Sequence, residues 1–247
     1  MTQQRTPSAY REALAWTELT QLMASPLYYG AGVPRGDGRN VLILPGLFGN
    51  DVYLLPLHSW LSRIGYRPVG SSLTLNIGCP ERLRLRINEE LARATRRSSG
   101  PVAIIGHSRG GILARGMASD LGERCSHLVL LGSPVGGLQT LAQAQPPQRV
   151  APASRRAANA NSRWRRLLDP DCTAPDCGCP FPADFLRPLH GQTKVTSIYS
   201  RDDAIVSAVA CPVPGARNIE VRGTHVGLVY NSVVYRNIAE VLAPEKR

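Results

Sequence analysis

Pro101-Val102-Ala103-Ile104-Ile105-Gly106-His107-Ser108-Arg109-Gly110-Gly111-Ile112-Leu113-Ala114-Arg115 is the stretch that decides how this chain folds. Its first part, the apolar run 102–105 with a proline ahead and a glycine behind, reads as a buried strand. Its last part, from Gly111, opens a helix whose buried stripe continues through Leu113, Met117 and Leu121. The two are joined by Gly106-His107-Ser108-Arg109-Gly110, a G-x-S-x-G turn. Where a strand turns sharply into a helix, the crossing backbones leave no room for side chains at the flanking positions, and a serine between them is held on a strained backbone with its hydroxyl presented outward. Average composition gives this pattern by chance about 0.1 times in a chain of this length, so its place between a strand and a helix carries the inference, against an ordinary strand-to-helix turn.

Outward from that stretch, short apolar runs alternate with longer segments of helical periodicity, the signature of βαβ units in a parallel sheet. Strands are expected at Val41–Leu44, Arg67–Val69, Val102–Ile105, Leu128–Leu131, Val195–Tyr199 and Ile219–Val221. Helical stripes run through Leu54, Leu57, Leu61 and Ile64; through Leu83, Ile87 and Leu91; and through Val234, Ile238 and Leu242. Tyr10–Leu27, with Leu14, Leu19, Leu22 and Met23, reads as an amphipathic packing helix. Gln139–His190 breaks the pattern: it is rich in Ala, Gln, Pro and Arg, with no acidic residue between Glu123 and Asp169, and reads as an irregular excursion, either a lid or a disordered loop. The expectation is an α/β protein of one domain spanning 1–247, with about six mostly parallel strands and helices on both faces.

The chain of 247 residues is 43% apolar, enough for one sizeable core. Its net charge of +11 is carried by arginine, since only Lys194 and Lys246 are lysines. The arginines are scattered and do not gather on one helix face, so a solvated basic surface is expected, with peripheral contact to anionic surfaces but no nucleic acid partner. No run reaches the eighteen or so apolar residues of a membrane span, and Met1–Arg11 lacks the apolar region of a signal peptide, so a cytoplasmic chain is expected. No P-loop or dinucleotide-binding glycine pattern follows any strand, and no internal repeat is visible.

A serine hydroxyl needs a base, and on a sheet of this kind the partners follow in the order serine, acid, histidine. Of five histidines, only His190 and His225 follow Ser108 at a distance. His225, in Gly223-Thr224-His225-Val226-Gly227, comes directly after the last expected strand, at the carboxyl end where open α/β sheets place their sites, whereas His190 lies in the excursion. The acid belongs on the loop after the preceding strand, where Asp202 and Asp203 are adjacent and spacing does not separate them; the other would be a solvated residue paired with Arg201. Oxyanion stabilisation calls for an N–H from the residue after the serine, Arg109, and one from the glycine-rich loop Leu44-Pro45-Gly46-Leu47-Phe48-Gly49, at Leu47.

As a set, Ile104–Gly111, Thr196–Val206 and Asn218–Leu228 resemble the small bacterial serine lipases and esterases of the α/β-hydrolase superfamily, the compact lidless lipases included, over most of the chain from Val41 to Leu242. The resemblance implies an α/β-hydrolase fold, and its Tyr-Ser-x-x-Asp-x-Ile-Val pattern puts the acid on Asp203. It implies Leu47 as the first oxyanion donor, with Pro45 where many lipases carry a histidine. The implied activity is hydrolysis of a small-molecule or lipid ester through an acyl-enzyme, without cofactor or metal. Thioesterase, amidase and acyltransferase chemistry use the same machinery, and a non-catalytic binding protein of the same fold is the alternative from another class. Cys172, Cys177 and Cys179 lack the paired spacing of a structural zinc site, and a disulfide from one of them to Cys211 is expected under oxidising conditions.

Overall fold

The computed structural model describes residues 9–96, 98, 100–142 and 179–244. Six strands, β1 Asn40–Leu44, β2 Arg67–Val69, β3 Val102–His107, β4 Cys125–Leu131, β5 Lys194–Ser200 and β6 Arg217–Val221, form one sheet in the order β2-β1-β3-β4-β5-β6. All neighbours run parallel. Each expected strand is present, and several extend one to three residues further, because ladder pairing continues past the apolar run: Lys194 and Arg217 both sit in register although neither is apolar.

Parallel strands need covered faces, and the alternation along each strand supplies two. Val41, Ile43, Ala103, Ile105, Val129 and Leu131 turn to one side, where α1 (Ala15–Ala24), α2 (Leu55–Arg63) and α7 (Ser232–Leu242) contribute Leu22, Leu57, Trp60, Leu61, Tyr235, Ile238 and Leu242. Leu42, Leu44, Ile104, Leu128 and Leu130 turn to the other, against Leu83, Ile87 and Leu91 of α3 (Pro80–Thr95) and Leu113 and Met117 of α4 (Arg109–Leu121). At roughly 1.5–3 kcal/mol for each fully buried large side chain, these two layers supply the driving force for the fold.

The N-terminal segment is not the single helix expected over Tyr10–Leu27. A 3-10 turn at Ala9–Leu14 leads into α1, and a second 3-10 turn occupies Pro26–Tyr29. Pro26 explains the break: it has no N–H to donate, and it drives Ser25 out of the helical region to ψ 133. The excursion after Gln139 is likewise not irregular at its ends. Helix α5 (Val135–Ala142) runs into it, and α6 (Phe181–Leu186) lies within it. Helix α6 packs on α4 so closely that a Cβ on Gly116 would stand 2.7 Å from the Phe181 ring. Buried Arg84 of α3 ties α3, α4 and α6 together, pairing with Glu81 at 2.6 Å, with Asp184 at 2.9 Å and with Asp120. The centre of the excursion, read from the sequence as either a lid or a disordered loop, lies outside the described residues, as do Cys172 and Cys177. Among the described residues no helix is long and apolar enough to cross a membrane.

Candidate functional site

Ser108 stands between β3 and α4 at φ 53 and ψ −122, one of three non-glycine residues with positive φ among the described residues. Close approach on both sides forces this geometry. A Cβ on Gly106 would lie 2.5 Å from the Gly111 Cα, and one on Gly110 would lie 2.4 Å from the Leu44 carbonyl oxygen, so only glycine fits at either position. The serine backbone is then pinned: its N–H donates to the Leu131 carbonyl at 2.8 Å, and its carbonyl accepts the Ser133 hydroxyl at 2.7 Å.

The loop after β1 passes directly over this turn, since a Cβ on Gly46 would come 3.2 Å from the Ser108 Cβ. Three of the four N–H groups from Gly46 to Gly49 are committed: Gly46 to the Tyr53 hydroxyl at 2.6 Å, Phe48 to the Asn76 carbonyl at 3.2 Å and Gly49 to the Gly46 carbonyl at 3.0 Å. Among the described residues the Leu47 N–H has no acceptor. Fully buried Asn76 fastens the loop, donating from Nδ2 to the Pro45 carbonyl at 2.7 Å and from its backbone to the Gly49 carbonyl at 2.8 Å. The Arg109 side chain points back the same way, donating to the carbonyls of Asn76 (3.0 Å) and Gly78 (2.7 Å), which turns its guanidinium away from the serine and leaves its backbone at the first turn of α4.

Asp203 and His225 meet on the loops after β5 and β6, Oδ2 to Nδ1 at 2.6 Å, with side chains almost wholly buried. The remaining Asp203 oxygen accepts the N–H groups of Ile205 (2.8 Å) and Val206 (2.7 Å), which fixes the carboxyl plane. A carboxylate only accepts, so His225 Nδ1 carries the hydrogen of this bond, and Nε2 is the ring nitrogen that is left to face a substrate. A Cβ on Gly132, the residue after β4, would lie 3.2 Å from Asp203 Oδ2 and 3.3 Å from His225 Nδ1, while Leu131 beside it accepts the Ser108 N–H. The pair and the serine therefore share the carboxyl edge of neighbouring strands. Asp202 sits apart and pairs with Arg222 at 3.2 Å, while Arg201 reaches across to Glu220 at 2.8 Å because β5 and β6 run side by side. His190 lies at the opposite edge of the sheet, 3.5 Å from Glu123 just ahead of β4.

Three contributors were not foreseen. His107 packs its ring against His225 with centroids 4.8 Å apart. Burial, aided by the neighbouring His225, pushes its pKa down to about 3 and keeps it neutral. Glu12 accepts the backbone N–H groups of His225 (3.0 Å) and Val226 (2.9 Å), and Glu18 accepts both the N–H (3.1 Å) and the hydroxyl (2.7 Å) of Thr224. The first segment is thus more than a packing element: its carboxylates cap the turn that carries His225. No sequence signal marks these two glutamates, since their partners lie more than two hundred residues away and, apart from the Thr224 hydroxyl, are main-chain groups.

Among the described residues, Cys211 is a free thiol and is not joined to Cys179, while Cys172 and Cys177 lie outside the described residues. The Cys211 thiol donates to the Ser207 carbonyl, and burial raises its pKa. Cys179 instead approaches Cys79, Sγ to Sγ 3.7 Å, because α6 is anchored beside the start of α3 by Arg84.

A family model described as alpha/beta hydrolase matches residues 80–156, which include the Ser108 turn. No curated protein sequence matches the chain. Among solved structures, the pyrethroid hydrolase PytH is similar with a TM-score of 0.55 at 16% identity, covering 83% of this chain and 96% of that one. MGS-MChE2, an alpha/beta hydrolase enzyme from the metagenome of lagoon sediments at Mar Chica, Morocco, gives a TM-score of 0.51 at 17% identity over 85% of this chain and 92% of that one. Alpha/beta hydrolase domain-containing protein 10 from mouse gives 0.51 at 14% identity over 86% and 94%. Together with the parallel sheet, its strand order and the strained serine at the end of β3, these likenesses establish that the chain has the α/β-hydrolase fold.

Proposed function

We propose that this chain is a serine hydrolase that cleaves carboxylic esters of small molecules or lipids through an acyl-enzyme. The observation that carries the reading is the 2.6 Å Asp203–His225 hydrogen bond, on the same strand edge as the strained Ser108. The neighbours named as hydrolases support hydrolysis in general. In the proposed cycle, His225 Nε2 takes the Ser108 proton as Oγ attacks the ester carbonyl, and Asp203 stabilises the imidazolium that forms. The oxyanion is met by the N–H groups of Leu47 and Arg109. His225 returns the proton to the leaving alcohol, and water repeats the sequence to release the acid.

The test is labelling with a fluorophosphonate probe, alongside a chain-length series of p-nitrophenyl esters. Wild-type protein is expected to be labelled and to turn over at least one ester. Ser108→Ala should lose labelling and about a millionfold in turnover while its melting temperature stays unchanged. Labelling of the Ser108→Ala protein at the wild-type rate would remove Ser108 from the mechanism.

A further inference from the structure

We propose that Tyr53 and His107 are positioning residues that lock the Leu47 turn to the backbone of His225 through one directed chain of hydrogen bonds; this rests on the serine-hydrolase reading above. The chain begins at the Gly46 N–H, which donates to the Tyr53 hydroxyl at 2.6 Å. That oxygen stands 2.9 Å from His107 Nδ1, and His107 Nε2 stands 3.0 Å from the His225 carbonyl oxygen. The two ends dictate every direction between them. A carbonyl oxygen only accepts, so Nε2 must carry the hydrogen. The ring is held neutral in its buried place, so Nδ1 is left with a lone pair and must accept from the Tyr53 hydroxyl. The hydroxyl oxygen, having given its proton to the ring, accepts from Gly46.

The parts are stiffly held. The carbonyl of Tyr53 accepts the Tyr230 hydroxyl at 2.9 Å, and the Tyr53 ring lies where a Cβ on Gly49 would stand 2.6 Å from it. The Tyr53 and His107 rings meet edge-on with centroids 5.8 Å apart. Two consequences follow for the site. Occupying the Gly46 N–H sets the turn so that the next N–H, that of Leu47, is the one left for an oxyanion. At the far end, the His225 backbone is held from both sides, its N–H by Glu12 and its carbonyl by His107. The base and the oxyanion donor are therefore kept in mutual register, and a loosening of even 1 Å in such a register costs on the order of 100-fold in rate.

Tyr53→Phe removes one oxygen and keeps the ring; His107→Phe removes both bonds and keeps an aromatic body. With p-nitrophenyl butyrate, each variant is expected to lose about 10- to 100-fold in kcat with KM within about twofold of wild type. Because both act through one chain, the double variant should lose little more than either alone, not the product of the two losses. Rates are to be counted per active serine titrated with fluorophosphonate, so that loss of folded protein does not mimic the effect. Unchanged kcat per titrated serine, or fully multiplicative losses, would overturn the proposal.

A second measurement reads the chain without activity. Nitrogen-15 spectra of labelled histidine should show His107 as the Nε2–H tautomer, without titration between pH 5 and pH 8, and its Nδ1 resonance should move in Tyr53→Phe. An Nδ1–H tautomer, or titration in that range, would sink the hydrogen-bond chain itself. A wild-type protein that neither hydrolyses esters nor reacts with fluorophosphonate, yet gives the expected spectra, would instead reject the hydrolase reading and leave the chain in place.

Discussion

The two sides of the candidate site are held in opposite ways. Ser108 is positioned by the lack of side chains at the flanking residues: Gly106 and Gly110 let two backbones cross at distances no Cβ would survive, and the turn is pinned by the Leu131 carbonyl and the Ser133 hydroxyl at the end of the neighbouring strand. His225 is positioned by side chains that arrive from far along the chain, with Glu12 213 positions before it and Glu18 206 positions before Thr224. The first arrangement is local and intolerant of any added atom. The second is assembled by tertiary docking, so its accuracy depends on how well the N-terminal segment seats.

The sharpest way to separate the halves is to change the acid, which belongs to the assembled half. Asp203→Asn should lose about four orders of magnitude in turnover, since the amide cannot favour the productive imidazole tautomer or its charged form. Asp202→Asn weakens the contact with Arg222, whose side chain is 91% exposed, and should stay within about twofold. Steady-state kinetics on both variants checks this, and the reverse ranking would move the acid to Asp202.

Acid should strain a residue that touches both halves. His107 is held near pKa 3 in the fold by burial, against an ordinary value of 6.5 in the unfolded chain. The unfolded state therefore binds the proton first, and stability present above about pH 6.5 is lost as the pH falls toward 3. The contribution reaches on the order of 5 kcal/mol at the low end. Denaturant midpoints measured across that range should fall less steeply in His107→Phe than in wild type; parallel slopes would show that the ring is not buried neutral.

The smallest effects compare the two modes of support directly. Gly110→Ala drives a methyl into the Leu44 carbonyl from 2.4 Å and should cost about 3 kcal/mol or more, a fall in melting temperature of roughly 6–12 °C. Glu12→Ala should leave the melting temperature within a few degrees yet lower kcat about 10-fold, because two N–H groups beside His225 lose their acceptor while the core is untouched. Glu12→Gln, which keeps an accepting oxygen, should recover part of that loss. Equal thermal penalties for Gly110→Ala and Glu12→Ala would erase the distinction between the halves.

What the sequence determined by itself was whatever depends on near neighbours. Alternation and helical stripes gave six parallel strands and the helices over them, because burial of one face leaves a period in the chain. G-x-S-x-G between an apolar run and a helix gave the Ser108 turn, because the steric demand there is met within five residues. The order serine, acid, histidine and the loop after the last strand pointed to His225, and the resemblance to lipases pointed to Asp203. Tertiary structure alone decided the rest. Glu12, Glu18, Asn76, Tyr53 and His107 act on main-chain groups or on one another across loops, and a backbone N–H carries no residue-specific mark that a distant carboxylate could be matched to in advance. The pairing of Asp202 with Arg222, the approach of Cys179 to Cys79 and the seating of α6 on α4 have the same origin: each follows from which strands and helices become neighbours, and that is settled only when the sheet closes its two faces.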